Sequence, residues 1–220
     1  PYTTLFRSAI AAGAADWDRA ARYLESEQLV TESPRVRAKL LVELGKMRDE
    51  MLGEHDLAVQ AYELALQSDS DNEDAALPLV NEYVSKEQWG RAEPLAEMLV
   101  KKAGKRERHE QHMLQNLFGK ILAAQKSWQG ALRAYQAANQ LDLTDQETIR
   151  GLAEVCFELQ DWPGALTNFQ KVLTALEEHD TEQRAYVYFK LGCIKQAQGQ
   201  PKQAINNFEK ALQVDRSEER

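Results

Sequence analysis

The sequence predicts an all-α fold in which helix pairs repeat and stack as a solenoid. Six alanines recur at spacings of 38, 34, 39, 34 and 39 residues: Ala20, Ala58, Ala92, Ala131, Ala165 and Ala204. All four tryptophans of the chain lie three positions before one of these alanines. Aromatic, aliphatic or small residues mostly follow at the fourth and seventh positions, as on one helix face. A period in the thirties with helical patterning inside it indicates stacked helix pairs.

The second helix of each repeat is predicted to begin near the tryptophan position. The alanine lets two helices approach closely, and the ring one turn later fills the space between neighbouring pairs. The tryptophans lie about one repeat apart, so they cannot converge on one ligand, and packing explains them better. Asp16, Ser127 and Asp161 precede tryptophans and are residue types that cap helix N-termini. His55 occupies the tryptophan position of its repeat and is predicted to replace that side chain in packing.

The first helix of each repeat carries a large residue followed by a small one, about twelve positions before the alanine. These pairs are Leu44-Gly45, Leu79-Val80, Phe118-Gly119, Leu152-Ala153 and Leu191-Gly192. Glycine inside a helix costs roughly 0.5–1 kcal/mol relative to alanine. Three glycines at one repeat position therefore indicate close contact with the partner helix.

These repeats resemble the tetratricopeptide repeat family. Its pattern is an aromatic residue, Leu-Gly, Tyr, then Ala, an aromatic residue and Ala, over roughly 34 residues. The last repeat matches it from Tyr188 through Leu191-Gly192 to Ala204, Phe208 and Ala211. The resemblance covers roughly residues 16 to 216 and implies a right-handed α-α superhelix.

The domain organisation follows from the repeat register. Residues 1–8 resemble a translated sequencing adapter and are excluded from fold reasoning as a non-native segment. Residues 9–220 are predicted to form one repeat domain. It begins with a truncated repeat at about 9–34 and continues with repeats at about 38–72, 73–106, 112–145, 146–179 and 185–218. The longer spacings add residues near 102–111 and 177–184, which predicts either flanking helices longer by about a turn or short loops.

Composition disfavours nucleic-acid binding. The chain has 27 basic and 35 acidic side chains, a formal net charge of -8, 28% charged and 43% hydrophobic residues. A protein that binds phosphate backbones needs a basic stripe, which this balance does not supply. The local exception, residues 101–108, is interpreted as a solvated loop between repeats, with a docking patch for an acidic partner as the alternative. No stretch approaches the length of a membrane span.

No catalytic, metal or cofactor motif is found. Cys156 lies at a packing position and is predicted to be buried, whereas Cys193 is predicted to face the inner surface. Neither implies a disulfide, which favours a reducing compartment such as the cytoplasm. His109 and His112 could share a helix face, yet no third ligand lies nearby. We therefore predict no enzyme activity, no cofactor and no metal.

The family resemblance implies that first helices line a concave groove that binds a partner peptide or helix. Counting from the Leu-Gly position, the predicted groove residues are Lys46, Asn81, Asn116, Lys120, Arg150, Glu154, Phe157, Tyr186 and Phe189. The groove is polar and of mixed charge near Asn116 and apolar toward Phe189. A segment with an acidic or hydrogen-bonding portion followed by a hydrophobic anchor would suit it.

Chaperone-binding members of the family carry a carboxylate clamp of Lys and Asn, then Asn, then Lys and Arg. The corresponding residues here are Leu77 and Asn81, then Leu117, then Glu147 and Gly151. The sequence therefore does not predict recognition of a chaperone C-terminus.

The sequence favours a noncatalytic protein–protein interaction scaffold, in a style similar to long bacterial repeat proteins. The alternative is a regulatory or substrate-docking arm of a larger enzyme, of which this chain is a fragment. A third hypothesis is self-association through an end repeat, because each repeat buries its apolar faces against its neighbours. Leu24, Leu29 and Val30 of the truncated first repeat are expected to be only partly covered, so dimerisation through that end would be an artefact of the truncation. The sequence sets neither the oligomeric state nor the partner's identity.

Overall fold

The computed structural model describes residues 16–215, and the regular elements of this part of the chain are all helical. The α-helices are α1 Trp17–Val30, α2 Pro34–Glu50, α3 His55–Ser68, α4 Glu73–Ser85, α5 Trp89–Lys102, α6 Arg108–Ala124, α7 Trp128–Leu141, α8 Gln146–Glu158, α9 Trp162–Ala175, α10 Thr181–Ala197 and α11 Pro201–Asp215. A short 3-10 turn, Ala103–Lys105, follows α5. The expectations for residues 1–8 and for the start of the first repeat lie outside the described residues.

The helices pack as successive neighbours. Within repeats, α2 packs on α3, α6 on α7, α8 on α9 and α10 on α11. Between repeats, α1 packs on α2, α3 on α4, α7 on α8 and α9 on α10. The predicted all-α arrangement of stacked helix pairs is confirmed.

The chain divides into two compact units between Leu99 and Val100, inside α5. Unit 1 contains α1 to α4, and unit 2 contains α6 to α11. One continuous repeat domain over residues 9–220 stays a prediction.

Buried alanines mark the helix contacts that the repeat pattern predicts. Five of the six repeat alanines are at most 3% exposed, and Ala20 is half-buried. Leu24 is 3% exposed, so the expectation that it is only partly covered is wrong, because α2 packs against α1. Leu29 and Val30, near the end of α1, are exposed as expected.

The glycines of the first helices make room for aromatic rings of the second helices. A Cβ added at Gly45 would lie 2.6 Å from the Tyr62 ring, and one at Gly119 would lie 2.8 Å from the Tyr135 ring. Those distances are below van der Waals contact, so a side chain at either position forces a shift. The close contact predicted from the glycines is confirmed, and it is made by the ring of the partner helix.

The turn inside each repeat uses a left-handed backbone at one repeat position. Positive φ angles occur at Gly53 (68°), Glu87 (54°), Lys126 (60°), Gln160 (58°) and Gly199 (70°). Each lies two residues before the tryptophan position. L-residues other than glycine adopt this conformation at a cost of roughly 1–2 kcal/mol, so three repeats store modest strain in this turn.

The longer repeat spacings are explained by longer first helices. Helices α2, α6 and α10 have 17 residues each, whereas α4 and α8 have 13. The long helices begin at residues 34, 108 and 181, four residues before the repeat starts expected at 38, 112 and 185. The extra turn therefore belongs to the N-terminus of the first helix.

Two of the three predicted helix caps form. The side chain of Asp16 accepts a hydrogen bond from the Arg19 backbone amide, and that of Asp161 accepts one from Gly164. Ser127 occupies the N-cap of α7, but its hydroxyl makes no capping hydrogen bond.

The prediction that His55 packs like a tryptophan is wrong. Its side chain is 56% exposed, and the imidazole instead links two carboxylates from different helices. Nδ1 lies 2.9 Å from Asp49 Oδ1, and Nε2 lies 2.7 Å from Glu82 Oε2. Hydrogen bonds to these carboxylates stabilise the polar imidazole more than burial under the turn would.

The basic segment 101–108 begins at the C-terminus of α5 and passes through the 3-10 turn. Arg108 donates hydrogen bonds to the carbonyl oxygens of Leu141 (2.7 Å) and Gln140 (3.2 Å). The Arg108 guanidinium therefore caps the C-terminal end of α7, where the helix dipole favours a positive charge.

Candidate functional site

Helices α8 and α10 hold a cluster of polar and aromatic side chains, the α8–α10 cluster: Arg150, Glu154, Phe157, Tyr186 and Lys190. Within each helix the members follow one another at three or four residues, so they share a face. The Tyr186 hydroxyl donates a hydrogen bond of 2.9 Å to Glu154 Oε1. Lys190 Nζ lies 3.1 Å from Glu154 Oε2. One carboxylate thus holds two residues of the neighbouring first helix.

Lys190 also faces two rings of the cluster. Its Nζ lies 4.0 Å from the centroid of the Phe157 ring and 5.3 Å from that of Tyr186. Phe157 in turn makes edge contacts with Trp162 and Phe169 of α9, at centroid distances of 5.7 and 6.3 Å. The ammonium is therefore held by a carboxylate on one side and aromatic faces on the others, where cation–π attraction adds to the ion pair.

Burial and partners shift the titration of this cluster. Burial opposes the charged form of Lys190, but hydrogen bonds to Tyr186 and Glu154, together with the Glu154 charge, raise its pKa. Burial is the main cause that raises the pKa of Tyr186. Near neutral pH the lysine is charged and the phenol is protonated, as the observed contacts require.

A pocket of about 340 Å³ opens beside the cluster. Its lining comprises Arg150, Glu154, Phe169, Val172, Glu182, Gln183, Tyr186 and Val187. The apolar lining comes from α9 and α10, and the charged groups come from α8 and α10. Arg150 donates one hydrogen bond, 2.9 Å long, to Gln183 Oε1. A guanidinium has five N–H donors, so Arg150 can still bind a carboxylate.

The structure brings four of the nine predicted groove residues together: Arg150, Glu154, Phe157 and Tyr186. Phe189 is half exposed and contacts Phe208 of α11, at a centroid distance of 5.8 Å. Lys120 is exposed on α6. Lys46 and Asn81 are exposed on α2 and α4 of unit 1.

Asn116 does not offer an open surface, contrary to the prediction that it faces the groove. Its side chain is buried, with 9% of the residue exposed. One turn before it, His112 Nε2 lies 3.2 Å from Thr148 Oγ1 of α8. This buried polar contact brings α6 and α8 together beside Asn116, which explains its burial.

Two members of the site, Lys190 and Gln183, are not among the residues predicted from the sequence. Lys190 follows Tyr186 by one helical turn, and Gln183 lies one turn before Tyr186 on the same helix. That spacing is a signal that could have found both. The α8 residues that these two side chains contact, Glu154 and Arg150, cannot be predicted from spacing along α10, because they depend on how α8 and α10 are placed relative to each other.

Among residues 16–215 the structure shows no group of three or more His, Cys, Asp or Glu side chains placed to hold a metal ion. In the same range no helix combines the length and the apolar character needed to cross a membrane.

Cys156 is buried as predicted, and burial is the main cause that raises the pKa of its thiol to about 11. Such a thiol is a packing residue and a poor nucleophile. Cys193 is partly exposed.

Comparison with known proteins identifies the repeat. Residues 145–217 match the family model described as Tetratricopeptide repeat. The match covers helices α8 to α11, and in this part the chain is similar to tetratricopeptide repeats. No curated protein matches this sequence.

Solved structures with tetratricopeptide repeats share the fold. YrrB, described as a TPR protein with an unusual peptide-binding site, superposes with a TM-score of 0.65 at 21% identity, over 80% of this chain and 86% of that one. MamA superposes with a TM-score of 0.62 at 19% identity, over 79% and 95% of the two chains. MamA from Desulfovibrio magneticus RS-1 gives 0.63 at 16% identity, over 82% and 96%. At these identities the likeness shows the fold alone.

The tetratricopeptide signature accounts for packing and leaves the α8–α10 cluster unexplained. The signature positions of these repeats are filled by buried residues such as Leu152, Ala165 and Leu191. Arg150, Glu154 and Tyr186 lie outside those positions and reach the surface.

Proposed function

We propose that this chain is a noncatalytic interaction scaffold that binds an extended segment of a partner protein across the first helices of unit 2. The tetratricopeptide fold supports a role in protein–protein interaction. The α8–α10 cluster and its pocket support this surface as the contact. The chain then acts by presenting rigid side chains, and no chemical step is required.

The observation that carries this proposal is the pocket of about 340 Å³ with Arg150 at its edge. Ligand pockets commonly measure about 300–1,000 Å³ and combine apolar walls with a few fixed polar groups. Here Phe169, Val172 and Val187 supply apolar walls. One aliphatic or aromatic anchor of the partner occupies that space.

The charged residues at the pocket edge indicate what the rest of the bound partner segment should contain. Both carboxylate oxygens of Glu154 already have partners, Lys190 and Tyr186. Glu154 is therefore less able to form an ion pair with a binding partner.

Arg150 is exposed, and among residues 16–215 its acceptor is the neutral amide oxygen of Gln183. A carbonyl or carboxylate group next to the hydrophobic anchor can therefore accept hydrogen bonds from Arg150. Glu182, an exposed carboxylate in the same lining, disfavours further acidic groups beside it.

The unusual peptide-binding site described for YrrB supports a peptide ligand for the same fold. A packed first-helix surface costs little reorganisation on binding, because its side chains are already fixed by one another. We expect moderate affinity, determined by the anchor in the pocket and by Arg150.

A pull-down with two matched double variants tests the proposal. Arg150→Ala with Tyr186→Ala removes the pocket edge, and Gln170→Ala with Lys171→Ala changes the exposed face of α9. Circular dichroism first establishes equal helicity. We expect a partner that the wild type and the α9 variant retain and that the pocket variant loses. Equal retention by all three proteins contradicts the proposal.

A further inference from the structure

Glu82 places a carboxylate at a repeat position that is apolar in the other repeats. The third residue after the large residue of each large–small pair is Met47, Glu82, Ile121, Val155 or Ile194. The four apolar members are at most 6% exposed, and Glu82 is nearly as buried at 8%. An acidic group therefore stands at a core position of unit 1.

The side chain that faces this carboxylate is also an exception to the repeat. Trp128 of α7 packs against the core cluster that contains Val155, and the equivalent tryptophan of α9 packs against the one that contains Ile194. Between α3 and α4 the tryptophan position holds His55, whose Nε2 lies 2.7 Å from Glu82 Oε2. One junction between repeats thus has a polar residue on both sides, an imidazole and a carboxylate.

His55 and its neighbours connect three helices through charged groups. The His55 Nδ1 lies 2.9 Å from Asp49 Oδ1 of α2. Lys86, which follows α4, has its Nζ 2.6 Å from Glu82 Oε1. Glu82, and to a smaller extent the charge of Asp56 on α3, raise the pKa of Lys86, so this lysine stays charged. Two cations therefore balance Asp49 and Glu82 only while the imidazole is protonated.

Both contacts of His55 require a charged imidazole. An imidazolium donates from both ring nitrogens, whereas a neutral imidazole has one donor and one acceptor. In the neutral form one nitrogen therefore turns its lone pair toward a carboxylate oxygen that lies within 2.9 Å. Glu82 then keeps Lys86 as its one cation in this cluster. A buried carboxylate that loses a charged partner is costly to keep buried.

We propose that the α3–α4 junction is a proton-operated joint: the charged His55 holds α4 against α3, and loss of its proton lets α4 open locally. Hydrogen bonds to Asp49 and then Glu82 raise the pKa of His55. The joint is therefore closed below the ordinary histidine pKa, and it opens as pH rises through the raised value. A junction made by tryptophan and an aliphatic side chain has no group that titrates in this range.

Amide hydrogen exchange tests where the protein opens. Residues 79–85 of α4 and residues 191–197 of α10 occupy equivalent repeat positions, so the second segment is the internal reference. Protection factors, which correct for the intrinsic pH dependence of exchange, are measured at about pH 5.5 and about pH 8. We expect the protection of residues 79–85 to fall about fivefold at the higher pH relative to the reference segment.

Three variants assign the effect to the pair of His55 and Glu82. The double variant H55W/E82I installs the residue types of the α9–α10 junction and is expected to protect residues 79–85 equally at both pH values. His55→Gln is neutral throughout, so it is expected to show the lower protection at both pH values, and it keeps the test decisive if the double variant does not fold. His179→Gln removes an exposed histidine between α9 and α10 and should keep the wild-type response.

Two results overturn the proposal. One is a wild type in which the protection of residues 79–85 and 191–197 changes alike between the two pH values. The other is a pH response of residues 79–85 that persists in His55→Gln.

Discussion

Lys190 and Glu154 form an ion pair of 3.1 Å that joins the first helices of two successive repeats. The Lys190 side chain is only 13% exposed and that of Glu154 is 32% exposed, so water screens the pair less than it screens a surface pair. The ammonium also lies over the Phe157 ring. This contact fixes α8 and α10 at the wall of the proposed peptide pocket.

Replacing Lys190 by methionine tests the strength of this contact. Lys190→Met keeps the chain length and removes the charge, which leaves Glu154 with Tyr186 as its remaining partner. We expect a loss of about 1 kcal/mol in the free energy of unfolding, measured by urea denaturation. Lys195→Met, on the same helix, serves as the control and should change stability little. Equal losses in both variants would show that the pair adds nothing.

Gly119 is predicted to be intolerant of any side chain. The Cβ of Gly119→Ala would press on the Tyr135 ring, and overpacking of this kind costs about 1–3 kcal/mol. Gly90→Ala is the matched control, because no atom lies within 4 Å of its added Cβ and alanine favours a helix. Thermal unfolding should therefore shift in opposite directions. A Gly119→Ala protein as stable as the wild type would contradict the packing described here.

A substitution in the turn between α8 and α9 is predicted to stabilise the protein. Gln160 has φ of 58°, a conformation that glycine adopts without steric cost. Gln160→Gly should raise the free energy of unfolding by about 0.5–1 kcal/mol. Gly199→Ala, which places a side chain at the equivalent position of the next repeat, should lower it by a similar amount. Differential scanning calorimetry of both variants measures the two signs.

His55 should make the stability of unit 1 depend on pH. Hydrogen bonds to Asp49 and then Glu82 raise its pKa above the ordinary value. Hydrogen bonds from Lys86 and then His55 lower the pKa of Glu82, so that carboxylate stays ionised in mild acid. The stabilisation is fully present below the ordinary histidine pKa and is lost as pH rises through the raised value.

The comparison of wild type with His55→Gln measures this effect. The difference in melting temperature between the two proteins should be larger at about pH 5.5 than at about pH 8.5. A difference that is the same at both pH values would mean that the imidazole charge contributes nothing to stability.

The repeat fold could be predicted because packing positions recur at fixed offsets. Ala131, Gly119 and Tyr135 each follow from their place in the pattern, and the structure packs them together. The site could be predicted only in part. Arg150 and Tyr186 were found by counting along single helices, whereas the Glu154–Lys190 pair depends on the distance between two helices.

Two errors have a common physical cause. Position in the repeat predicted packing for His55 and an open surface for Asn116. The His55 imidazole instead contacts Asp49 of α2 and Glu82 of α4. The contact between His112 and Thr148 brings α6 and α8 together beside Asn116. Hydrogen-bond partners from other helices override the repeat pattern at such residues.

Site-specific photo-crosslinking tests whether a partner binds at the first helices of unit 2. A photoreactive phenylalanine derivative is placed at Gln183 in the pocket lining or at Lys171 on the exposed face of α9, and each protein is irradiated in lysate of the source organism. We expect a discrete crosslinked partner from position 183 and none from position 171. A partner crosslinked only from position 171, or equally from both positions, would contradict recognition by the first helices of unit 2.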